Sequence, residues 1–286
     1  MRSSGFPLPP VFAGDRPLVF AHRGGSKIGP ENTLLALSRG MAAGADGFEC
    51  DVRLAADGVP VLVHDATLDR TTNAVGPVRV QASTALAALD ATCRFVAPDA
   101  AWAVPGPEGI PALASALARF PEARVIIELK DDDPRLADAV AAVVRRATAV
   151  ARVCAGSFHQ AVLDRLRAVA PEITTSASRR EAQWTLARSW ARWPLPMAPR
   201  YRAFQVPERA GRLRVVTPAF VRRARRERAA VQVWTVDTPD DVRRLLAMGV
   251  DGVISDRPDW AVPARDAFVK ERGLHRRGQA PAIHSR

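Results

Sequence analysis

The sequence predicts a (β/α)8 barrel in a single domain, and three observations predict it. Short β-rich runs alternate with amphipathic helical stretches along most of the chain. Several of those runs are apolar throughout, as parallel strands buried on both faces are. The length of 286 residues suits one large single-core fold, and a composition of 48% hydrophobic and 25% charged residues excludes disorder for the bulk of it.

The strand-like runs are Leu18–Ala21, Gly47–Val52, Val59–His64, Arg124–Lys130, Val153–Phe158, Glu172–Ser176, Ala203–Val206, Val231–Val236 and Val250–Ser255. They exceed the eight strands of a barrel by one, and Ala203–Val206 is the weakest. Asn32 or Thr33 can cap a helix carrying Leu34, Leu37 and Met41 and ending at Gly44. Pro134 opens an Ala/Val-rich helix to about Ala149. Ala161–Ala170 forms another, and Asp240–Met248 a third between a Pro239-Asp240 start and a Gly249 stop. One junction is irregular. Asp51 and His64 are separated by too few residues for a helix, with Asp57-Gly58 as a turn signal, which leaves a hairpin or an irregular crossover. The barrel core is expected over about 17–260, with 1–15 and 273–286 peripheral or disordered. No run is long and apolar enough to cross a membrane, and the start lacks the apolar core of a secretory signal. Three scattered cysteines, Cys50, Cys93 and Cys154, read as buried packing residues in a reducing compartment, so a cytoplasmic location is expected.

Charged residues crowd the C-terminal ends of the apolar runs. His22-Arg23, Glu49 with Asp51, His64-Asp65, and Glu128 with Lys130 occupy those ends, which in a barrel share the rim where active sites are built. Glu49 and Asp51 lie two apart and so on one strand face, as do Glu128 and Lys130. Cys50 and Leu129 then face away. Three carboxylates on neighbouring strands repel unless a cation sits among them, and oxygen ligation favours one divalent Mg2+ or Ca2+. His22 and His64 can act as acid and base across a scissile bond. Arg23 and Lys130 can hold an anionic group, and the Gly24-Gly25 turn can add backbone donors to it. This set fits phosphodiester hydrolysis better than acyl chemistry.

The segments HRGGSKIGPENTLLAL, GFECDVRLAADGVPVLVHDATLDRTTN, IIELK, SF, VWTVD and GVISDRP together resemble the glycerophosphodiester phosphodiesterase family. The resemblance runs from His22 to Pro258. It implies a TIM barrel of the phospholipase-C-like phosphodiesterase type, a divalent metal on Glu49, Asp51 and Glu128, and His22 and His64 as acid and base. It also implies phosphate contacts from Arg23 and Lys130, and metal-dependent hydrolysis of glycerophosphodiesters to glycerol 3-phosphate and an alcohol. Glu31 matches a motif position and supports the site. The resemblance also implies that Trp234 and Phe158 fall at the rim, against the substrate's glycerol or alcohol moiety. Asp256 is expected to fix the last loop. The rival reading keeps the site and enlarges the substrate, as a lysophospholipase D acting on lysolipid phosphodiesters; an apolar channel beside the site is the feature that discriminates.

The net charge of +11 invites a nucleic-acid reading, but the excess is local. Residues 176–228 hold fourteen arginines against three glutamates, which is the whole formal excess. The same stretch holds Trp184, Trp190, Trp193 and Tyr201. No nucleic-acid partner is expected. Leu186, Trp190 and Trp193 share one face of a helical wheel, so the stretch is either an Arg-rich outer helix docked on the barrel or a peripheral contact with anionic membrane through 179–228.

Overall fold

The computed structural model describes residues 7–191 and 199–273. Eleven strands and nine helices follow one another in it: β1 (Leu18–His22), α1 (Leu34–Ala42), β2 (Gly47–Leu54), β3 (Pro60–Leu62), α2 (Ser83–Ala87), α3 (Leu113–Arg119), β4 (Arg124–Leu129), α4 (Pro134–Arg146), β5 (Val153–Gly156), α5 (Gln160–Val169), β6 (Thr174–Thr175), α6 (Arg179–Ala191), β7 (Ala203–Pro207), β8 (Arg209–Ala210), β9 (Leu213–Arg214), α7 (Pro218–Arg226), β10 (Ala230–Trp234), α8 (Pro239–Met248), β11 (Gly252–Ser255) and α9 (Pro258–Glu271). Eight strands pair in parallel in the order β6-β5-β4-β2-β1-β11-β10-β7, and a parallel bridge between Ser176 and Ala203 joins the two ends. The result is a (β/α)8 barrel.

The supernumerary strand is β3, not Ala203–Val206. Pro60, Val61 and Leu62 pair antiparallel with Leu54, Arg53 and Val52, so the Asp51–His64 junction is a hairpin with its turn at Asp57-Gly58. Ala203–Val206 is a full barrel strand paired with β10 over five residues. It reads weakly because Gln205 interrupts the apolar run.

Period-two alternation places one set of strand residues inside the barrel and the other under the helices. Val19, Phe48, Cys50, Val125, Ile127, Val231 and Val253 face outward into two helix-packed clusters. Phe20, Ile126, Cys154, Ala203, Ala230 and Ile254 fill the interior together with Val11 and Phe12, two buried residues of the N-terminal segment. Moving up β1, β2 and β4, the inward column turns from apolar to ionisable: Phe20 to His22, Gly47 to Glu49 and Asp51, Ile126 to Glu128 and Lys130. The closed apolar floor is what places those charges at one end.

Local signals set the helix ends. The Thr33 hydroxyl accepts from Ala36 N, and the Thr238 hydroxyl from Asp241 N. Gly249 ends α8 in the left-handed conformation at φ 90°. The basic stretch 179–228 supplies α6, β7, the β8–β9 hairpin and α7. Tyr201 Oη and Thr185 Oγ1 both donate to the buried Glu227 carboxylate, at 2.6 and 2.9 Å, and Arg223 Nε donates to its other oxygen at 2.7 Å. This knot ties α6 to β7 and α7. Arg192, Trp193 and the tail beyond residue 273 lie outside the described residues, as do residues 1–6, and the Trp190 side chain is not described. Cys50 and Cys154 are buried, whereas Cys93 is exposed in the segment between α2 and α3, which packs a separate small core and leaves its edge in solvent. Among the described residues no helix is long and apolar enough to cross a membrane.

Candidate active site

The ends of β1, β2 and β4 bring the expected charges together. One carboxylate oxygen from each of Glu49, Asp51 and Glu128 lies within 4.8 Å of the others. The β2–β4 register sets Asp51 beside Glu128, and the β1–β2 register sets His22 beside Glu49. Lys130 Nζ sits between Asp51 Oδ1 at 3.0 Å and Glu128 Oε1 at 2.9 Å. Arg23 Nε approaches Asp51 Oδ2 at 3.1 Å, and Arg23 N donates to Glu49 Oε2 at 3.1 Å. Asn32 Nδ2 completes the grip on Asp51 at 2.9 Å.

Arg23 turns both its N–H and its side chain toward the carboxylates by adopting φ 52°, in the left-handed region that a residue with Cβ seldom enters. The chain then reverses through Gly24, where a Cβ would come within 2.5 Å of Leu37 N. The amides of Gly24 and Gly25 are spent inside this turn, on Ala21 O and His22 O, so the expected backbone anion donors are not available.

Each histidine is held by one carboxylate. His22 Nδ1 lies 2.6 Å from Asp256 Oδ1, and His64 Nδ1 lies 2.6 Å from Asp65 Oδ1. A carboxylate on Nδ1 fixes ring orientation and favours a proton there, leaving Nε2 for the pocket. Asp256 was expected only to fix the last loop; it also accepts from Ser26 Oγ at 2.6 Å. Asp65 is held in turn by Arg70 Nε at 2.6 Å, and the Arg70 fork grips both oxygens of Glu31 at 2.7 Å. Glu31 accepts from Arg23 at 2.9 Å. An unbroken chain, His64–Asp65–Arg70–Glu31–Arg23, therefore links the two sides of the site. Glu31 is a link in that chain.

The electrostatics are those of crowded acids. Burial, then the neighbouring Asp51, push Glu49 up to about 8. Burial also works against Asp51, but Lys130 and Arg23 hold its pKa below the ordinary carboxylate value. Burial disfavours the His22 imidazolium, yet the hydrogen bond to Asp256 and the charge of Glu49 carry His22 above 6.5. Glu49 and Asp51 crowd each other, and a divalent cation among the trio's oxygens would relieve that conflict. The donor set fits such a cation.

His22, Arg23, Glu49, His64, Glu128 and Lys130 all open into one pocket of about 490 Å³, within the usual range for a small-molecule site. Phe158, 53% exposed, and Trp234 line the same pocket, and Lys130 Nζ lies 5.9 Å from the centre of the Phe158 ring. All ten residues singled out from the sequence thus belong to one neighbourhood. Sequence reasoning placed Asp65 at the rim without a role and missed Asn32 and Arg70 as parts of it. The His64-Asp65 adjacency and the short Asp65–Arg70 spacing were the available signals.

A barrel that crowns three carboxylates with two carboxylate-held histidines and two cations defines the class: a TIM-barrel phosphodiesterase. Residues 22–260 match the model of the glycerophosphoryl diester phosphodiesterase family, and the chain belongs to that family. It is 32% identical over 250 residues to a glycerophosphodiester phosphodiesterase of Caldanaerobacter subterraneus subsp. tengcongensis, covering 86% of this chain and 96% of the relative. The crystal structure of a glycerophosphodiester phosphodiesterase from Agrobacterium tumefaciens str. C58 is 30% identical with a TM-score of 0.69, covering 86% of this chain and 99% of that one. A phosphodiesterase of Oleispira antarctica, solved with the product sn-glycerol-3-phosphate, shares the fold at 24% identity and a TM-score of 0.71, covering 88% and 97%.

Proposed function

We propose that this protein hydrolyses glycerophosphodiesters to glycerol 3-phosphate and an alcohol, with one divalent cation, Mg2+ or Ca2+, held by Glu49, Asp51 and Glu128. The observation that carries the reading is the pair of carboxylate-held histidines opening into the pocket that also receives Glu49 and Glu128 of the acid trio. When bound, the cation supplies positive charge against a phosphoryl oxygen. Arg23 and Lys130 bind the remaining phosphate charge and oppose its growth in the transition state. His22 and His64 divide the proton work at Nε2. One takes the proton of the attacking hydroxyl, and the other gives a proton to the leaving alkoxide, which is a poor leaving group without it. Asp256 and Asp65 hold the rings and stabilise the imidazolium forms. Trp234 and Phe158 pack against the organic part of the substrate. The relatives named for this activity, and the Oleispira antarctica enzyme with its bound product, support the same reading.

The test is release of glycerol 3-phosphate from glycerophosphocholine and glycerophosphoethanolamine by protein stripped with a chelator and then resupplied with Mg2+ or Ca2+. Turnover that is lost on stripping and restored by either ion is the expected result. Full turnover in the stripped protein would sink the metal assignment, and none under any condition would sink the activity.

A further inference from the structure

Glu31 and Arg70, two links of the chain between His64 and Arg23, also line a second cavity of about 390 Å³. It shares no lining residue with the pocket that holds His22 and His64, so a ligand there does not overlap a phosphodiester in the active site. Four cations line it, Lys27, Arg70, Arg94 and Arg257, against one carboxylate, Glu31. Two of the four are answered. Arg70 is gripped by Glu31 and Asp65. Arg257 donates to Asp259 from Nε and Nη2 at 3.0 and 2.7 Å, and its guanidinium lies 3.7 Å from the centre of the Trp260 ring. Lys27 and Arg94 are exposed, and neither side chain has an ion-pair or hydrogen-bond partner among the described residues. Two uncompensated positive charges therefore share one cavity.

We propose that this cavity is a regulatory site for a small soluble phosphate monoester, which slows turnover through Arg70. Charge selects the ligand. A phosphate monoester carries close to two negative charges at neutral pH, its second pKa being about 6, whereas a phosphodiester carries one. A cavity with two unanswered cations is matched to the monoester, the class of product that the proposed hydrolysis releases, rather than to the substrate. The arginine fork and the lysine point charge both suit phosphate oxygens, and the volume suits a small molecule. The coupling follows from Arg70. Three of its five N–H groups are committed, one to Asp65 and two to Glu31. A bound dianion competes with those carboxylates for the guanidinium. Asp65 holds His64 and Glu31 holds Arg23, so a shift of Arg70 loosens both sides of the active site at once.

The regulation rests on the phosphodiesterase reading, whereas the binding does not, and the experiment reads the two separately. Calorimetric titration with glycerol 3-phosphate and with inorganic phosphate, in Mg2+, compares the parent protein with a double variant, Lys27→Ala with Arg94→Ala. Both residues are exposed and lie outside the catalytic machinery. The variant should lose one binding site per chain and keep its basal turnover of glycerophosphocholine. In the parent either ion should lower kcat, read at saturating substrate, by about fivefold or more. In the variant the remaining inhibition should be competitive, so that saturating substrate removes it. Equal binding stoichiometry in parent and variant overturns the site. A site lost in the variant while the parent's kcat ignores both ions overturns the regulation. Inhibition by phosphatidylcholine vesicles carrying phosphatidic acid, with none by the free ions, overturns the choice of a soluble ligand. A site lost in the variant, in a protein that turns over no phosphodiester, supports the cavity and overturns the activity instead.

Discussion

The two halves of the barrel rim follow opposite rules. Over β1, β2 and β4 the inward side chains above the apolar floor are ionisable; His22, Asp51, Glu128 and Lys130 are held by partners of opposite charge, and Glu49 by the Arg23 amide. Over β6 and β7 the wall is aliphatic and its few polar groups are neutral apart from Arg179. The polar knots of the second half lie outside the barrel instead, at Glu227 and at Glu181, where they lock helices together. The proposed chemistry draws on the charge facing the pocket, whereas the charge behind the strands holds helices together. The difference separates loss of turnover from loss of stability.

The largest effect belongs to the histidines. His22→Ala and His64→Ala should each lower kcat by about 10²–10⁴ in steady-state assays, with thermal unfolding little altered. Near-normal turnover in either variant removes that histidine from the mechanism. Next comes the knot behind the second half. Glu227→Ala removes the buried carboxylate that Arg223, Tyr201 and Thr185 all hold and should cost about 3–5 kcal/mol in denaturant unfolding. Retained stability would show that the network is incidental to the packing of α6 on α7. The relay comes third. Arg70→Lys keeps the charge but loses the fork that joins Asp65 to Glu31, and should lower kcat/KM by about 10–100-fold. The pH–rate profile should move with it, which a purely structural role would not produce.

Much of this contrast was legible in the sequence, and what was not has physical reasons. The alternation of strands and helices and the charges at the strand ends both survive in one dimension, because period-two patterning and strand ends are local properties. His22, Glu49, Asp51, Glu128 and Lys130 were found that way. The direction of β3 was not readable, since an apolar run carries no sign of whether its partner is parallel. Ala203–Val206 looked weak because the inward-facing Gln205 breaks its apolar pattern. Asp65, Arg70 and Glu31 meet only through the folding of two loops, and loops have no period to read. The apolar wall of the pocket is composed of small and aliphatic residues from two barrel units, and nothing in their spacing separates them from ordinary core.

The smallest predicted effect is a pH dependence. Burial would raise the pKa of Glu181, but the two-oxygen grip of Arg167 and the Ser178 amide hold it below the ordinary 4.5. Its contribution to stability is therefore complete above pH 4.5 and is lost as the pH falls through the lower, folded value. Glu181→Gln should destabilise by about 1 kcal/mol at neutral pH and by less in acid, read from unfolding midpoints across pH 3–7. An equal loss at every pH would contradict the assignment.

The central claim is that the proposed chemistry resides in the charged half of the rim. Asp51→Asn, in that half, and Ala210→Trp, on the opposite wall, assayed side by side on glycerophosphocholine with saturating Mg2+ or Ca2+, test it most directly. Asp51→Asn should lose about 10²-fold or more in kcat, whereas Ala210→Trp should keep kcat within about tenfold. Comparable losses of kcat in both variants, or full turnover by Asp51→Asn, would contradict the division.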